Sequence, residues 1–128
     1  VELLFDTNII IYHLNNQLNE YGENLLRQGL SGQSAYSIIS KIELLGFNQP
    51  DTADVQARRV LSGLIELPLT SEVAERTIML RKRFKIKIPD AIIAATALEY
   101  SLRLITRNEV DFAKVEDLNL TNPFEAQN

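Results

Sequence analysis

Four acidic residues stand where carboxylate chemistry could be assembled: Asp6, Glu43, Asp90 and Asp111. Asp6 directly follows the apolar run Leu3-Leu4-Phe5, and Asp90 heads the alanine-rich run Ala91-Ile92-Ile93-Ala94-Ala95-Thr96-Ala97-Leu98. Asp111 comes shortly after the apolar stretch 102–106, with Asn108 three residues before it, and Glu43 lies between Ile42 and Leu44. Each has an ordinary alternative. Asp6 could cap a helix and Asp90 could complement a helix dipole. Glu43 could be a solvated helix residue, and Asp111 with Asn108 could shape a loop. Their conjunction says more. Asp6 and Asp90 adjoin strongly apolar segments, where an unpaired carboxylate is costly. Carboxylates gathered in one cleft raise each other's pKa unless a cation sits among them. A hard divalent ion meets that need: Mg²⁺ keeps several waters and is held by one or two carboxylates plus substrate phosphate. The chain has no cysteine and a single histidine, His13. Thiolate nucleophiles, finger-type zinc sites and multi-histidine sites are therefore excluded, and no Ser/His pair can be argued. An all-carboxylate set points to Mg²⁺ or Mn²⁺ and to phosphate chemistry.

Bringing these acids together requires elements that gather distant segments at one edge. Short apolar runs predict strands at 3–5, 33–37, 64–69, 102–106 and 118–120. Helical periodicity and capping signals predict helices at 9–14, 20–30, 38–47, 52–63, 71–84 and 90–98, with a short turn or helix at 111–113. Ile38, Ile42 and Leu45 mark the inward stripe of the third helix, with Glu43 beside it. Val55, Val60 and Leu61 point inward from the fourth, and Ser71 opens the fifth. Strands alternating with helices predict an α/β fold with a mainly parallel central sheet, flanked by helices on both faces in three layers. In such sheets functional groups collect at the carboxyl ends of the strands.

The chain has 128 residues, 45% of them hydrophobic, with no repeat, low-complexity tract or linker, so one domain over residues 1–128 is expected. No apolar run approaches the ~20 residues of a membrane span. The start carries no secretory signature, and Val1 is not a natural first residue, so a few N-terminal residues are expected to be missing. A cysteine-free chain of this kind is expected in the cytoplasm, without a membrane. There are 13 basic and 17 acidic residues, net −4, a balance that by itself argues weakly against a general nucleic-acid binder. Setting the four acids aside leaves 13 against 13, so the whole excess can be assigned to one site. The basic residues are uneven: Arg76, Arg81, Lys82, Arg83, Lys85 and Lys87 fall in a stretch with no acid, leading into Asp90. That run is either a solvated face or a rail for a polyanion's backbone. Arg107 is a second candidate for phosphate contact, Arg58 and Arg59 could pair with an acidic partner, and His13 suits a helix surface.

The sequence resembles the PIN-domain ribonucleases, and especially their toxin branch, the VapC-type toxins of bacterial toxin–antitoxin pairs. The matching pieces are Leu4-Phe5-Asp6-Thr7-Asn8-Ile9-Ile10-Ile11-Tyr12 and Ser37-Ile38-Ile39-Ser40-Lys41-Ile42-Glu43-Leu44-Leu45-Gly46. They continue with Ile88-Pro89-Asp90-Ala91-Ile92-Ile93-Ala94-Ala95 and Leu104-Ile105-Thr106-Arg107-Asn108-Glu109-Val110-Asp111-Phe112. The resemblance implies a metal-dependent endoribonuclease with Asp6, Glu43, Asp90 and Asp111 as its acidic quartet. Asp6 and Asp90 would be the most direct ligands of Mg²⁺ or Mn²⁺, with Glu43 and Asp111 acting directly or through water. Thr7, Asn8, Thr106 and Asn108 would be supporting polar residues; some relatives carry an acid where Asn108 stands. It also implies a homodimer and a cognate antitoxin that silences the site. Arg81, Lys82, Arg83, Lys85, Lys87 and Arg107 are the expected RNA contacts. The alternative is a catalytically weak or inactive domain of this type, serving as an RNA- or protein-binding module. Two other phosphate chemistries fit poorly. A haloacid-dehalogenase-type phosphatase needs an Asp where Asn8 stands, and a receiver domain needs one at the end of the third strand, where 64–69 offers only Glu66.

Overall fold

Parallel strands cannot be joined by tight hairpins, and each connection must cross a face of the sheet, usually as a helix. The computed structural model, which describes residues 2–125, follows this rule throughout. Five strands, β1 (Leu3–Phe5), β2 (Ser34–Ser37), β3 (Ile65–Leu67), β4 (Arg103–Ile105) and β5 (Leu120–Thr121), form one sheet in the order β3-β2-β1-β4-β5. Every neighbouring pair is parallel. Around it lie α1 (Thr7–Leu14), α2 (Glu20–Gln28), α3 (Ile38–Leu45), α4 (Asp51–Ser62), α5 (Ser71–Arg83), α6 (Ile88–Glu99) and α7 (Glu109–Phe112). A π-helical turn, Gly29–Gln33, leads from α2 into β2, and Gly32 there adopts φ +95°, which a side chain would strain. Among the described residues no helix is long and apolar enough to cross a membrane.

Successive strand side chains point to opposite faces, and that alternation divides the core in two. Leu4, Ala35 and Leu104 face Val73 and Leu80 of α5, Ile93 of α6 and Phe112 of α7. Phe5, Tyr36 and Ile105 face Ile9 and Ile10 of α1, Leu26 of α2, Leu44 of α3 and Leu61 of α4. Both faces are covered at the central strand β1, which is why it reads as a continuous apolar run. Helix α6 is buried at every position from Ala91 to Ala97. Its alanines allow close approach to its neighbours, and its one inward hydroxyl, Thr96 Oγ1, donates to the Ile92 carbonyl at 2.7 Å.

Several sequence expectations shift. The inward residues of α3 are Ser40 and Leu44, while Ile42 is 59% exposed. In α4 Ala57 and Leu61 point inward, Val60 is partly buried, and Val55 is 51% exposed. In both helices an inward small residue was outweighed by a larger apolar one on a neighbouring face. Helix α5 is capped by Thr70, whose hydroxyl accepts from Val73 N at 3.1 Å, rather than by Ser71. The last strand moves to Leu120–Thr121 because its register pairs Leu104 with Leu120 and Ile105 with Thr121.

From β1 the chain builds outward through β2 to β3, then returns to the other side of β1 as β4. The carboxyl ends of β1 and β4 therefore flank the point where the winding reverses, the usual crevice for a ligand in an open parallel sheet.

Candidate active site

Asp6 and Thr106 are the first residues past β1 and β4, and they meet across that crevice. Asp6 N donates to the Ile105 carbonyl at 3.0 Å, and Thr106 Oγ1 donates to Asp6 Oδ2 at 2.8 Å. The Thr106 hydroxyl in turn accepts from Asn108 N at 3.0 Å. Asn108 then holds Asp111: its Nδ2 donates to Asp111 Oδ2 at 3.1 Å, and its Oδ1 accepts from Asp111 N at 3.3 Å. Asn108 is thus the N-cap of α7 and a tie between two of the acids. Asp6 occupies the N-cap position of α1, but its side chain makes no capping bond. Its carboxylate points to β4 instead, so the simple capping role fails.

Glu43 lies on the exposed side of α3, yet it is not an unengaged surface residue. Thr7 Oγ1 donates to Glu43 Oε1 at 2.7 Å and sits 2.7 Å from Ser40 Oγ. A threonine hydroxyl has one proton, and a carboxylate only accepts, so Ser40 donates to Thr7 and Thr7 to Glu43. Ser40, fully buried, was not singled out in the sequence. Its signal was present, since it stands three residues before Glu43, on the same side of a helix. Asn8 is exposed in the first turn of α1 beside these groups.

Asp90 completes the set from the first turn of α6, where Pro89 is accommodated because early helical N–H groups need no partner. The acids feel one another. Burial pushes the Asp6 carboxyl up to about 6, against the Thr106 hydroxyl and the Thr7 backbone N–H, and the charges of Asp90 and Glu43 add to the rise. Asp90 is raised by burial first, then by Asp111 and Glu43, with Lys87 opposing. Four acids from four distant segments therefore share one electrostatic site. Among the described residues, however, no three Asp, Glu, His or Cys side chains are grouped so as to hold a metal ion between them. The donor set fits a hydrated divalent ion on one or two carboxylates, the usual mode for Mg²⁺, and does not fit a closed cage.

The basic run divides. Arg81, Lys85 and Lys87 line a cleft of ≈ 510 Å³ together with Asp111, Phe84 and Ile86. Lys114 joins them, its Nζ donating to the Lys85 carbonyl at 3.1 Å and standing 3.6 Å from Asp111 Oδ1. The sequence reading missed Lys114, although its spacing of three from Asp111 is helical. Arg83 instead lines a separate hollow with Arg76, Glu116 and Asp117, and Arg76 is paired with Glu99 at 2.8 Å. Lys82 is exposed and lines neither. Arg58 pairs with Asp54 within α4, and His13 Nδ1 lies 2.8 Å from Glu23 Oε1.

The PIN domain family model matches residues 3–118. The chain belongs to the PIN domain family. PIN domain proteins are typically nucleases. Solved structures with this PIN fold include a toxin–antitoxin complex from Klebsiella pneumoniae, in which the matched chain is 34% identical with a TM-score of 0.80, over 95% of this chain and 98% of that one. FitAcB from Neisseria gonorrhoeae is 28% identical with a TM-score of 0.77, over 96% and 99% of the two chains. DNA-bound VapBC from Salmonella typhimurium, at 20% identity and a TM-score of 0.85 over 96% and 98%, shares the fold. Curated proteins returned no match.

Proposed function

We infer that this chain is the toxin of a type II toxin–antitoxin pair, an endoribonuclease that hydrolyses RNA phosphodiester bonds with Mg²⁺ or Mn²⁺. The observation that carries the reading is the buried Asp6 carboxylate at the switch point of the sheet, tied across it to Thr106 and lying in the field of Asp90 and Glu43. A nuclease needs negative charge gathered where a cation and a phosphate can meet, and a merely structural acid has no reason to be held so unfavourably.

Asp6 and Asp90 are the residues that would hold the ion, with Glu43 and Asp111 directly or through water. A divalent ion held there would supply Lewis acidity, lowering the pKa of a bound water and offsetting negative charge on the phosphate oxygens. The chain's own groups do the positioning. Thr106 and the Asn108 N–H fix one oxygen of Asp6, and Ser40 acting through Thr7 fixes one oxygen of Glu43. Asn108 and Lys114 fix Asp111. Arg81, Lys85, Lys87 and Lys114 offer cations to the phosphates of a strand leaving the acids past Asp111. In this reading water attacks the phosphorus directly, and no covalent enzyme intermediate is formed.

The Klebsiella toxin–antitoxin complex supports a cognate antitoxin as this chain's partner; in this reading the antitoxin silences the site and the pair acts in the cytoplasm. Exposed Leu69, Ile78 and Ile88 line one hollow, and in this reading the homodimer would use an apolar face of this kind.

The test is RNA cleavage with and without EDTA, beside Asp6→Asn and Asp90→Asn variants checked for folding by circular dichroism. EDTA and each substitution should lower the rate at least about a hundredfold. Cleavage that survives chelation, or that both substitutions leave intact, overturns the reading. Salt-sensitive RNA binding by the unaltered chain without any cleavage would favour the binding-module alternative.

A further inference from the structure

Arg107 lies between Thr106, which holds Asp6, and Asn108, which holds Asp111. Its guanidinium carbon stands 4.0 Å from the centre of the Phe124 ring and 5.5 Å from that of Tyr12. The two rings meet edge to face, 5.4 Å apart at 70°. The three residues come from the turn after β4, from the segment after β5 and from α1.

Phe124 is fixed from behind. Asn122 and Pro123 are buried. Asn122 Oδ1 accepts from Phe124 N at 3.0 Å, Asn122 Nδ2 donates to Glu109 Oε2 at 3.0 Å, and Asn19 Nδ2 donates to the Pro123 carbonyl at 2.7 Å. Arg107 itself is exposed, and among the described residues its guanidinium donates to no protein acceptor, while its charge opposes the rise that Glu109 imposes on the Glu125 carboxyl. A planar cation stacked on its face still presents its N–H edge, and that edge makes paired bonds to a phosphate. Stacking also removes rotamer freedom that a free arginine loses on binding. Tyr12 stands six residues after Asp6, ~9 Å further along α1.

We propose that Phe124 and Tyr12 form an aromatic clamp that presents Arg107 to a substrate phosphate adjoining the one that is cut. Arg107 is then a binding residue, and Phe124 is a positioning residue that acts through it. The segment after β5 thereby completes the substrate site. This inference rests on the nuclease reading above.

The test uses the Asp6→Asn chain, so that binding is read without turnover, and a fluorescent single-stranded oligoribonucleotide titrated at several salt concentrations. Adding Arg107→Ala should weaken binding about tenfold and reduce the slope of log affinity against log salt by about 0.7, the value for one phosphate contact. Phe124→Ala should weaken binding several-fold and Phe124→Trp should restore it. Arg107→Lys should not, because it keeps the charge and loses the stacking plane. Thermal unfolding shows which variants are folded at the assay temperature. A clamp with only a structural role moves the melting temperature and leaves affinity and salt slope alone, which overturns the proposal. So do parent-like binding by a folded Arg107→Ala chain and a lack of salt-sensitive binding by the parent. If the unaltered chain does not cut RNA the nuclease reading fails, and if Asp6→Asn still cuts RNA the role given to Asp6 fails. If it is inactive and Arg107→Ala binds normally, only the clamp fails.

Discussion

Asp6 shows what a buried carboxylate at the proposed site costs the fold. It is 4% exposed and receives the Thr106 hydroxyl, yet burial and its acidic neighbours raise it from 3.8 to about 6. An acid whose folded pKa lies above its unfolded value binds its proton more tightly in the native state. Stability is therefore lost as pH rises through the window from about 4 to about 6, and the loss is complete above it. Two pKa units correspond to about 3 kcal/mol at most. Asn can keep the bond from Thr106 without the charge. In EDTA the Asp6→Asn chain should accordingly be more stable than the parent by about 1–3 kcal/mol at pH 7.5, with the gap closing near pH 4. Urea unfolding at the two pH values measures this, and a variant less stable at both would show that the carboxylate is not strained. The same substitution should abolish cleavage, a trade of stability against function.

Elements matter here through which face they turn inward. Helix α4 carries Val55, Val60 and Leu61, which look equivalent in a pattern of apolar residues. The helix buries Ala57 and Leu61 and leaves Val55 half exposed. Leu61→Ala should cost about 2–5 kcal/mol because it opens a cavity beside Leu26 and Leu64 in the same core cluster. Val55→Ala should stay within about 0.5 kcal/mol. Equal costs in denaturant melts would return Val55 to the core. Helix α3 makes the same point with a functional outcome: its inward serine, Ser40, delivers a hydrogen bond to Thr7 and through it orients Glu43. An apolar count cannot see an inward polar residue whose partner lies 33 positions away. The capping pattern, by contrast, was locally readable to within one residue, since Thr70 and Ser71 are adjacent and both can cap.

Over the whole molecule, charge is sorted by the fold. The net −4 of the sequence conceals an acidic crevice and, against it, a cleft carrying Arg81, Lys85, Lys87 and Lys114 around Asp111. Lys82 and Arg83, although within the same run of sequence, lie outside that cleft. Reversing Lys87 and Lys114 to Glu should therefore weaken single-stranded RNA binding by about tenfold or more and reduce the salt slope by about 1.4. Reversing Lys82 and Arg83, which changes net charge equally, should leave both nearly unaltered. Matching effects from the two pairs in a salt titration would mean that only overall charge matters. The sequence by itself determined the parallel α/β architecture and singled out the four acids as candidates, because strand alternation, helix periodicity and short apolar runs ending in Asp are local patterns. It also carried the motif blocks by which the chain resembles its family. Tertiary structure alone decided that Asp6 answers to Thr106 across the sheet, that Asn108 ties two acids together, that half of the basic run faces elsewhere, and that Phe124 reaches Arg107. Those are contacts between residues far apart in the chain. Their geometry is set by strand order and packing, which no local spacing encodes.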